Sequence, residues 1–301
     1  MQGLVFWLAY PLLWLISILP FRLFYIVSDI TYVLVYHIIG YRKKTVTDNL
    51  KLVFPEKPDA EIRAIRKKFY AHMCDMFLEM IKSMSISGKE LKRRFVFTNP
   101  EELHRLEKKH KGIILMCGHY ASYEWMIALQ LYDVTYKAFG IYKRIRNRYF
   151  DKLVKNIRGK FNGELIPTAE ATRKIEINEK NGVLGIYAMI SDQSPKWNRA
   201  KYWADFMDIK VPVFTGSEKM AREFDMAVTY LNVEKTGRGY YEATLINITD
   251  KPANEDPYYI TKSFIELLEK QINKAPEYYL WTHKRWKHRH EALPKNGVII
   301  D

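Results

Sequence analysis

Apolar positions along this chain fall into two regimes. Residues 3–19 form an almost continuous apolar stretch rich in Leu, Ile, Trp and Phe, interrupted by Pro11, and residues 21–39 continue it while carrying Arg22, Asp29 and His37. As a helix the first stretch is about 26 Å long, just short of a hydrocarbon core. From residue 41 onward the pattern becomes periodic. Residues 60–84 place Ile62, Ile65, Phe69, Met73, Met76 and Met80 on one side of a helix. Short apolar runs at 113–116, 183–190, 211–214 and 227–233 read as strands, with a helix over 219–224. Residues 240–248 pair back antiparallel across the turn Thr236-Gly-Arg-Gly239, and residues 257–274 form a helix with Ile260, Phe264, Leu267, Leu268 and Ile272 inward. Strands alternating with helices, with a hairpin near the end, predict an α/β domain with a mixed sheet flanked by helices.

The first forty residues are therefore set apart from residues 41–301, which contain no internal repeat or Gly/Ser linker and read as one compact domain. A secretory signal fits residues 1–40 poorly, because there is no basic leading region and no small-residue cleavage site. Three membrane readings stand open: one spanning helix, a hairpin broken at Pro20, or an anchor lying in the interface. Two buried helices of a soluble core are the plainer alternative. The basic collar Tyr41-Arg-Lys-Lys44 is placed on the cytoplasmic side by the positive-inside rule. That agrees with two cysteines, Cys74 and Cys117, which are too few for a disulfide framework.

The strand at 113–116 leads into Cys117-Gly-His-Tyr-Ala-Ser-Tyr-Glu124, and residues 120–132 read as the helix after it. His119 then sits on a strand-to-helix turn, where α/β folds tend to carry chemistry. Glu124 follows one helical turn later, within reach of an imidazole nitrogen. A carboxylate that fixes the tautomer and steadies the imidazolium makes such a pair a general base. The spacing is common by chance, but no other histidine in the chain has an acid at that offset. A capping histidine with a first-turn glutamate is the structural alternative. Cys117 beside His119 raises a Cys/His hydrolase, against which stands a small apolar residue simply ending a core strand.

Charge adds a partner class. The net charge of +14 calls for an acidic partner. Between Lys137 and Lys160 there are nine Lys or Arg and one acid, Asp151, and the segment Trp281-Thr-His-Lys-Arg-Trp-Lys-His-Arg-His290 has no acid. With an apolar N-terminus, anionic lipid is favoured over nucleic acid, although either run also reads as a solvated face. The chain contains no Walker A loop, no dinucleotide-binding glycine pattern and no Gly-x-Ser-x-Gly elbow. His283, His288 and His290 lie among four cationic side chains that oppose a metal, so no metal site is expected.

At this level of detail the chain resembles the lipid A biosynthesis acyltransferases, the lauroyl and myristoyl transferases within the lysophospholipid acyltransferase superfamily. Five ordered blocks over nearly the whole chain carry the resemblance. They are Arg42-Lys-Lys-Thr-Val-Thr-Asp-Asn-Leu-Lys-Leu-Val-Phe-Pro-Glu56, the His-x4-acid box at His119 and Glu124, Ile141-Tyr-Lys-Arg-Ile-Arg-Asn-Arg-Tyr-Phe-Asp151, Ser191-Asp-Gln-Ser-Pro195, and Pro276-Glu-Tyr-Tyr-Leu-Trp-Thr-His-Lys-Arg285. The third block departs from the family pattern, with Lys143 for its arginine and Arg144 for its proline, and Gln193 stands where the best-known members have histidine. Lysine keeps the charge but loses the bidentate fork.

The resemblance implies a glycerolipid acyltransferase-like fold on an N-terminal membrane anchor, facing the cytoplasm at a bacterial inner membrane. It implies transfer of a fatty acyl chain from acyl carrier protein, or a coenzyme A thioester, to a hydroxyl of a lipid A precursor, with no other cofactor. His119 would be the base and Glu124 would orient it. Lys143, Arg144, Arg146 and Arg158 would meet acceptor phosphates or the acidic carrier. Asp192 would order the site from its strand end, and Arg285 is a further candidate. Acylation of another membrane lipid is the nearest alternative. A non-catalytic basic protein at the membrane, binding anionic lipid or nucleic acid, is the alternative from another class.

Overall fold

The computed structural model describes residues 2–300. Its centre is a seven-stranded sheet in the order β1-β9-β8-β2-β5-β3-β4, formed by β1 (Phe95–Phe97), β2 (Ile113–Cys117), β3 (Lys137–Tyr142), β4 (Glu164–Pro167), β5 (Gly185–Ile190), β8 (Ala227–Gly237) and β9 (Tyr240–Thr249). Only the β8–β9 pair is antiparallel. A small second sheet joins β6 (Tyr202–Phe206) to β7 (Ile209–Val213) antiparallel and to β10 (Val298–Ile300) parallel. The expected mixed α/β sheet is present, and the expected hairpin turns at Gly237 to Tyr240.

Helices cover both faces of the sheet. The chain opens with α1 (Gln2–Ile18) and α2 (Phe21–Tyr32), which runs on as a π-helix, Val33–Ile39, ended by Gly40 in the left-handed region. Next come α3 (Lys43–Val53), α4 (Asp59–Lys82), α5 (Gly88–Arg94) and α6 (Glu101–Glu107). The remaining helices are α7 (Arg148–Arg158), α8 (Ala171–Lys180), α9 (Gly216–Glu223) and α10 (Tyr259–Lys274). Helix α4 starts behind Pro58 with Asp59 and Glu61 in its first turn, where acids suit the helix dipole. Its Met-bearing side is core, with Met73 and Met76 both buried.

Strand β2 is central and buried at all five residues, as its uninterrupted apolar sequence requires. The helix expected over residues 120–132 is not α-helical. Residues Tyr123–Leu131 instead form a nine-residue 3-10 helix. The chain beyond Gly118 is bridged at Tyr120 to the C-terminal segment before Ala121 turns through a left-handed φ of 48°: Leu280 N–H donates to His119 C=O at 3.1 Å, and Ala121 N–H to Tyr278 C=O at 3.0 Å. Helical winding can start only after this bridge. Gly118 itself is dictated by close approach, since a Cβ there would stand 2.6 Å from Leu268 of α10.

The two basic runs have different fates. Residues 137–160 are strand β3, an exposed loop and α7, whose Leu153, Val154 and Ile157 are buried. The C-terminal run is half core, because Trp281 and Trp286 are buried and stack on one another, with Trp286 also stacked on Phe206. It is not the continuous solvated face that its composition suggested.

Candidate active site

The register of β2 against β5 assembles the site. Cys117 lies opposite Ile190 in a parallel pair, so His119 and Asp192, each two residues beyond, leave the sheet side by side. Nδ1 of His119 is 2.6 Å from Asp192 Oδ1. Asp192 is buried and His119 is part-buried. Burial disfavours both charged forms, yet the pair overcomes it. Burial opposes a cation at His119, but the charge and hydrogen bond of Asp192, with a further contribution from Glu124, hold its pKa above the ordinary 6.5. Burial likewise opposes the Asp192 anion, while His119 keeps that carboxyl below its ordinary value. With an ionised Asp192 accepting from Nδ1–H, the lone pair of the neutral ring lies on Nε2. The Gln193 amide stands 3.3 Å from Nε2, as a donor to it.

Glu124 is placed differently from the sequence expectation. It makes no hydrogen bond to His119 among the described residues. Its carboxylate takes a two-pronged bond from Arg158 at the end of α7, with Nε at 2.9 Å and Nη2 at 2.6 Å. The expectation that Glu124 orients the imidazole is therefore corrected, because Nδ1 is held by Asp192 and the Glu124 carboxylate is turned to Arg158. The physical reason is the 3-10 winding. Three residues per turn put Glu124, Ile127 and Gln130 on one line, facing a cavity, and the buried Trp125 and Ala128 on another. The Trp125 indole anchors this arrangement, donating to Glu79 C=O and Ser83 Oγ, both at 3.1 Å.

The cavity, partly open to solvent, lies between the 3-10 helix, β3, β5 and the end of α7. Its wall is chiefly apolar, including Leu129, Phe139, Ala188 and Ile186, with Glu124 and Arg158 among its few polar groups. Tyr123 also lines it and meets the His119 ring edge to face, 5.0 Å between centroids. A few polar groups converging in an apolar pocket are the usual form of a small-ligand or chain-binding site.

The remaining candidates separate by position. Lys143, Arg144 and Arg146 occupy the exposed loop between β3 and α7, with Arg144 paired to Glu170 at 2.6 Å. Arg285 is buried, donating to Pro212 C=O at 2.9 Å and to Ser194 Oγ at 3.2 Å, and so ties β7 to the loop after Asp192. Cys117 is buried, and burial raises its thiol further from ionisation, which removes it as a nucleophile. Residues not singled out from sequence include Tyr123 and Glu79, whose carboxylate accepts from Tyr241 at 2.8 Å and Tyr25 at 2.9 Å. The signal for Asp192 as the imidazole partner was that both residues follow closely on an apolar run, and the equal spacing appears once the strands end at Cys117 and Ile190.

The five sequence blocks converge here. Asn49 and Arg42 of the first donate to the backbone at Trp281, Thr282 and His283 in the last. The last bridges to His119, the fourth supplies Asp192, and the helix that begins within the third supplies Arg158.

Comparison with known proteins agrees with this convergence. A family described as bacterial lipid A biosynthesis acyltransferase matches residues 1–288. The chain is 23% identical to the lipid A biosynthesis lauroyltransferase of Escherichia coli K12 over 297 residues, 96% of this chain and 93% of that one. It is 23% identical over 285 residues to a lipid A biosynthesis acyltransferase of Haemophilus influenzae, covering 91% and 85% of the two chains. With the lipid A biosynthesis myristoyltransferase of Escherichia coli K12 it shares 21% over 250 residues, covering 80% and 74%.

Proposed function

This chain belongs to the bacterial lipid A biosynthesis acyltransferase family, and from that premise we propose that it moves a fatty acyl chain from acyl carrier protein to a hydroxyl of a lipid A precursor, with His119 as the general base. The observation that carries the reading is the Asp192–His119 pair beside an apolar cavity. Asp192 accepts from Nδ1–H and leaves Nε2 facing the reaction. The acceptor hydroxyl replaces the Gln193 amide as partner of Nε2, and its oxygen attacks the thioester carbonyl carbon as the proton passes to the ring. The intermediate collapses, the carbon–sulfur bond breaks and the thiolate takes the proton back. An ester and a free thiol result, with no acyl-enzyme. On a hydroxyl already borne by a fatty acyl chain, the product is an acyloxyacyl group.

In this reading the cavity receives the acyl chain. Glu124 contributes negative charge that favours the imidazolium, and Arg158 keeps that carboxylate in place. Lys143 and Arg146, exposed on the loop that leads into α7, meet acceptor phosphates or the acidic carrier. The enzyme works on the cytoplasmic side of the inner membrane, where acyl carrier protein is available.

The test is acyl transfer in detergent to a lipid A precursor, from acyl carrier protein and from coenzyme A, comparing the wild type with His119→Ala. Product is expected with the carrier-protein donor, only when acceptor is present, and strongly reduced in the variant. Equal use of coenzyme A would remove the donor assignment. Free fatty acid released without acceptor would make the protein a thioesterase. Undiminished transfer by His119→Ala would end the mechanism.

A further inference from the structure

The first two helices run along the catalytic domain instead of leaving it. Helix α1 is tied down at both ends. Near its start, Asn147 Nδ2 donates to Gln2 C=O at 3.2 Å, and Phe6 stacks on Tyr149 with centroids 5.5 Å apart. Phe6 also forms a small separate core with Leu153 and Ile157 of α7. At its far end, Lys82 Nζ donates to the carbonyls of Ser17 and Leu19 at 2.7 and 2.6 Å. These are carbonyls that a helix terminus leaves open, and a cation there suits the dipole. A helix whose two ends are fixed to one folded domain can cross a bilayer only if that domain crosses with it.

The second segment gives the same result independently. Phe21–Ile39 is the one described helix long and apolar enough to cross a membrane, with 19 residues and a mean hydropathy of 1.4. One side of it is nevertheless a polar stripe bonded to the catalytic domain. Tyr25 donates to Glu79 at 2.9 Å and Ser28 to Asp75 at 2.7 Å. Arg238, at the β8–β9 turn, joins Asp29 at 2.6 Å and Asp75 at 2.8 Å. The other side exposes Ile26, Ile30, Val33 and Leu34. Helix α1 exposes Leu4, Leu8, Leu12 and Leu15. Exposed apolar area of this extent marks an interaction surface.

We propose that α1 and Phe21–Ile39 do not span the membrane: they lie in the plane of one anionic leaflet and form a two-helix foot. Charge selects the occupant. Lys44 follows the second helix and is almost fully exposed, while Arg146 and Arg148, also exposed, flank the Asn147 contact with α1. A second copy of a chain with net charge +14 is repelled, whereas an acidic leaflet is attracted. Helix α7, on which α1 rests, carries Arg158 of the candidate site, so the foot holds that site at the lipid surface. This inference does not rest on the acyl-transfer reading and survives its failure.

The experiment uses the full chain with one nitroxide, on Leu4→Cys or on Ile18→Cys, since Cys74 and Cys117 are buried. Depth is measured by power saturation in phosphatidylglycerol–phosphatidylethanolamine vesicles. Both labels are expected at a similar depth, about 5–10 Å below the headgroups. Binding is expected to fall at least tenfold on phosphatidylcholine vesicles. A depth difference of about 20 Å, the rise over the intervening helix, means a spanning α1 and overturns the proposal. Labels shielded from both lipid-soluble and water-soluble relaxants mean that a second copy covers the face, which overturns it equally. Equal binding to both vesicle types removes the anionic assignment. The pair Leu8→Cys and Leu15→Cys repeats the measurement should either first variant misfold. In native membranes, Gln2→Cys and Lys108→Cys should react with an impermeant maleimide from the same side; reaction from opposite sides overturns the proposal.

Discussion

Two carboxylates act on one imidazole in this protein, and they are held by opposite means. Asp192 comes from a strand end fixed by the sheet register, is buried, and bonds directly to His119. Glu124 comes from a 3-10 helix, is also buried, and spends its hydrogen bonds on Arg158. Only the first can fix the ring's tautomer; the second reaches His119 as charge alone. The difference shows that proximity in sequence is a poor guide to which acid orients a base. Parallel strands bring residues 73 positions apart into contact, while a helical offset of five residues turned Glu124 toward another partner.

The largest effect that breaks the comparison removes the shared member. His119→Ala should lower the rate of acyl transfer about 10³–10⁴-fold, measured as product formed per unit time at saturating donor. In that background the two carboxylates should become equivalent, so that adding Asp192→Asn or Glu124→Gln changes the residual rate little. A further large loss from either would show that the carboxylate acts on substrate directly.

Next in size is the difference between the carboxylates. The base must be neutral, so kcat/KM falls as pH drops through the pKa of His119, which lies above 6.5 because Asp192 and Glu124 outweigh the opposing effect of burial. Asp192→Asn removes both a charge and a hydrogen bond. It should lower the plateau about a hundredfold and move the acidic limb to lower pH. Glu124→Gln removes only charge, so its acidic limb should move the same way by less. Equal displacements would mean that Glu124 and Asp192 are interchangeable, contrary to the geometry.

A third variant separates catalysis from stability. Arg158→Met leaves Glu124 buried without its fork and should destabilise the fold by about 2–3 kcal/mol, reduced from a fully buried pair because Arg158 is partly exposed. Thermal melting in detergent measures this. Adding Glu124→Gln should restore most of the loss, because no unpaired anion remains. An unchanged melting temperature in the single variant would show that water replaces the guanidinium at no cost.

Much of the frame was legible in sequence because burial on both faces writes itself as uninterrupted apolar runs. That is how β2 and β5 announce themselves, while the β8–β9 hairpin is marked by its turn residues, each within a few residues of its observed bounds. Strands β1, β3, β4, β6 and β10 were not legible: β1, β4 and β10 have three or four residues, and β3, Lys137–Tyr142, opens the basic run that drew the eye to charge. His119, Arg158 and Asp192 were each visible as residues, but their pairing depended on register, which local periodicity does not encode. The start of the 3-10 helix was equally hidden, since residues 119–121 before it are pinned by the Tyr278–Leu280 bridge more than 150 residues further along the chain. The N-terminal segment was ambiguous for a related reason. Its polar stripe is a few side chains, Tyr25, Ser28 and Asp29, whose partners lie on α4 and the hairpin turn.

The smallest effect concerns what the two carboxylates stand beside. Glu124 and Arg158 line the apolar cavity, and Asp192 does not. The wall between them includes Ala188, on the same strand that leads to Asp192, opposite Leu115 on one side and Gly140 on the other. Enlarging Ala188 should therefore shorten the space for a chain without touching the base. Ala188→Leu adds three carbons to a wall of fixed strands, and each methylene excluded from such a pocket is worth about 1–3 kcal/mol of discrimination. Competition between donors of different chain length, read by mass spectrometry of the product, should shift about tenfold or more toward the shorter chain. The acidic limb of the pH profile should stay where it is, because neither carboxylate near His119 has moved. A chain-length profile unchanged by Ala188→Leu would detach the cavity from the acyl donor, and a displaced pH limb would show that the cavity wall and the Asp192–His119 pair are not independent.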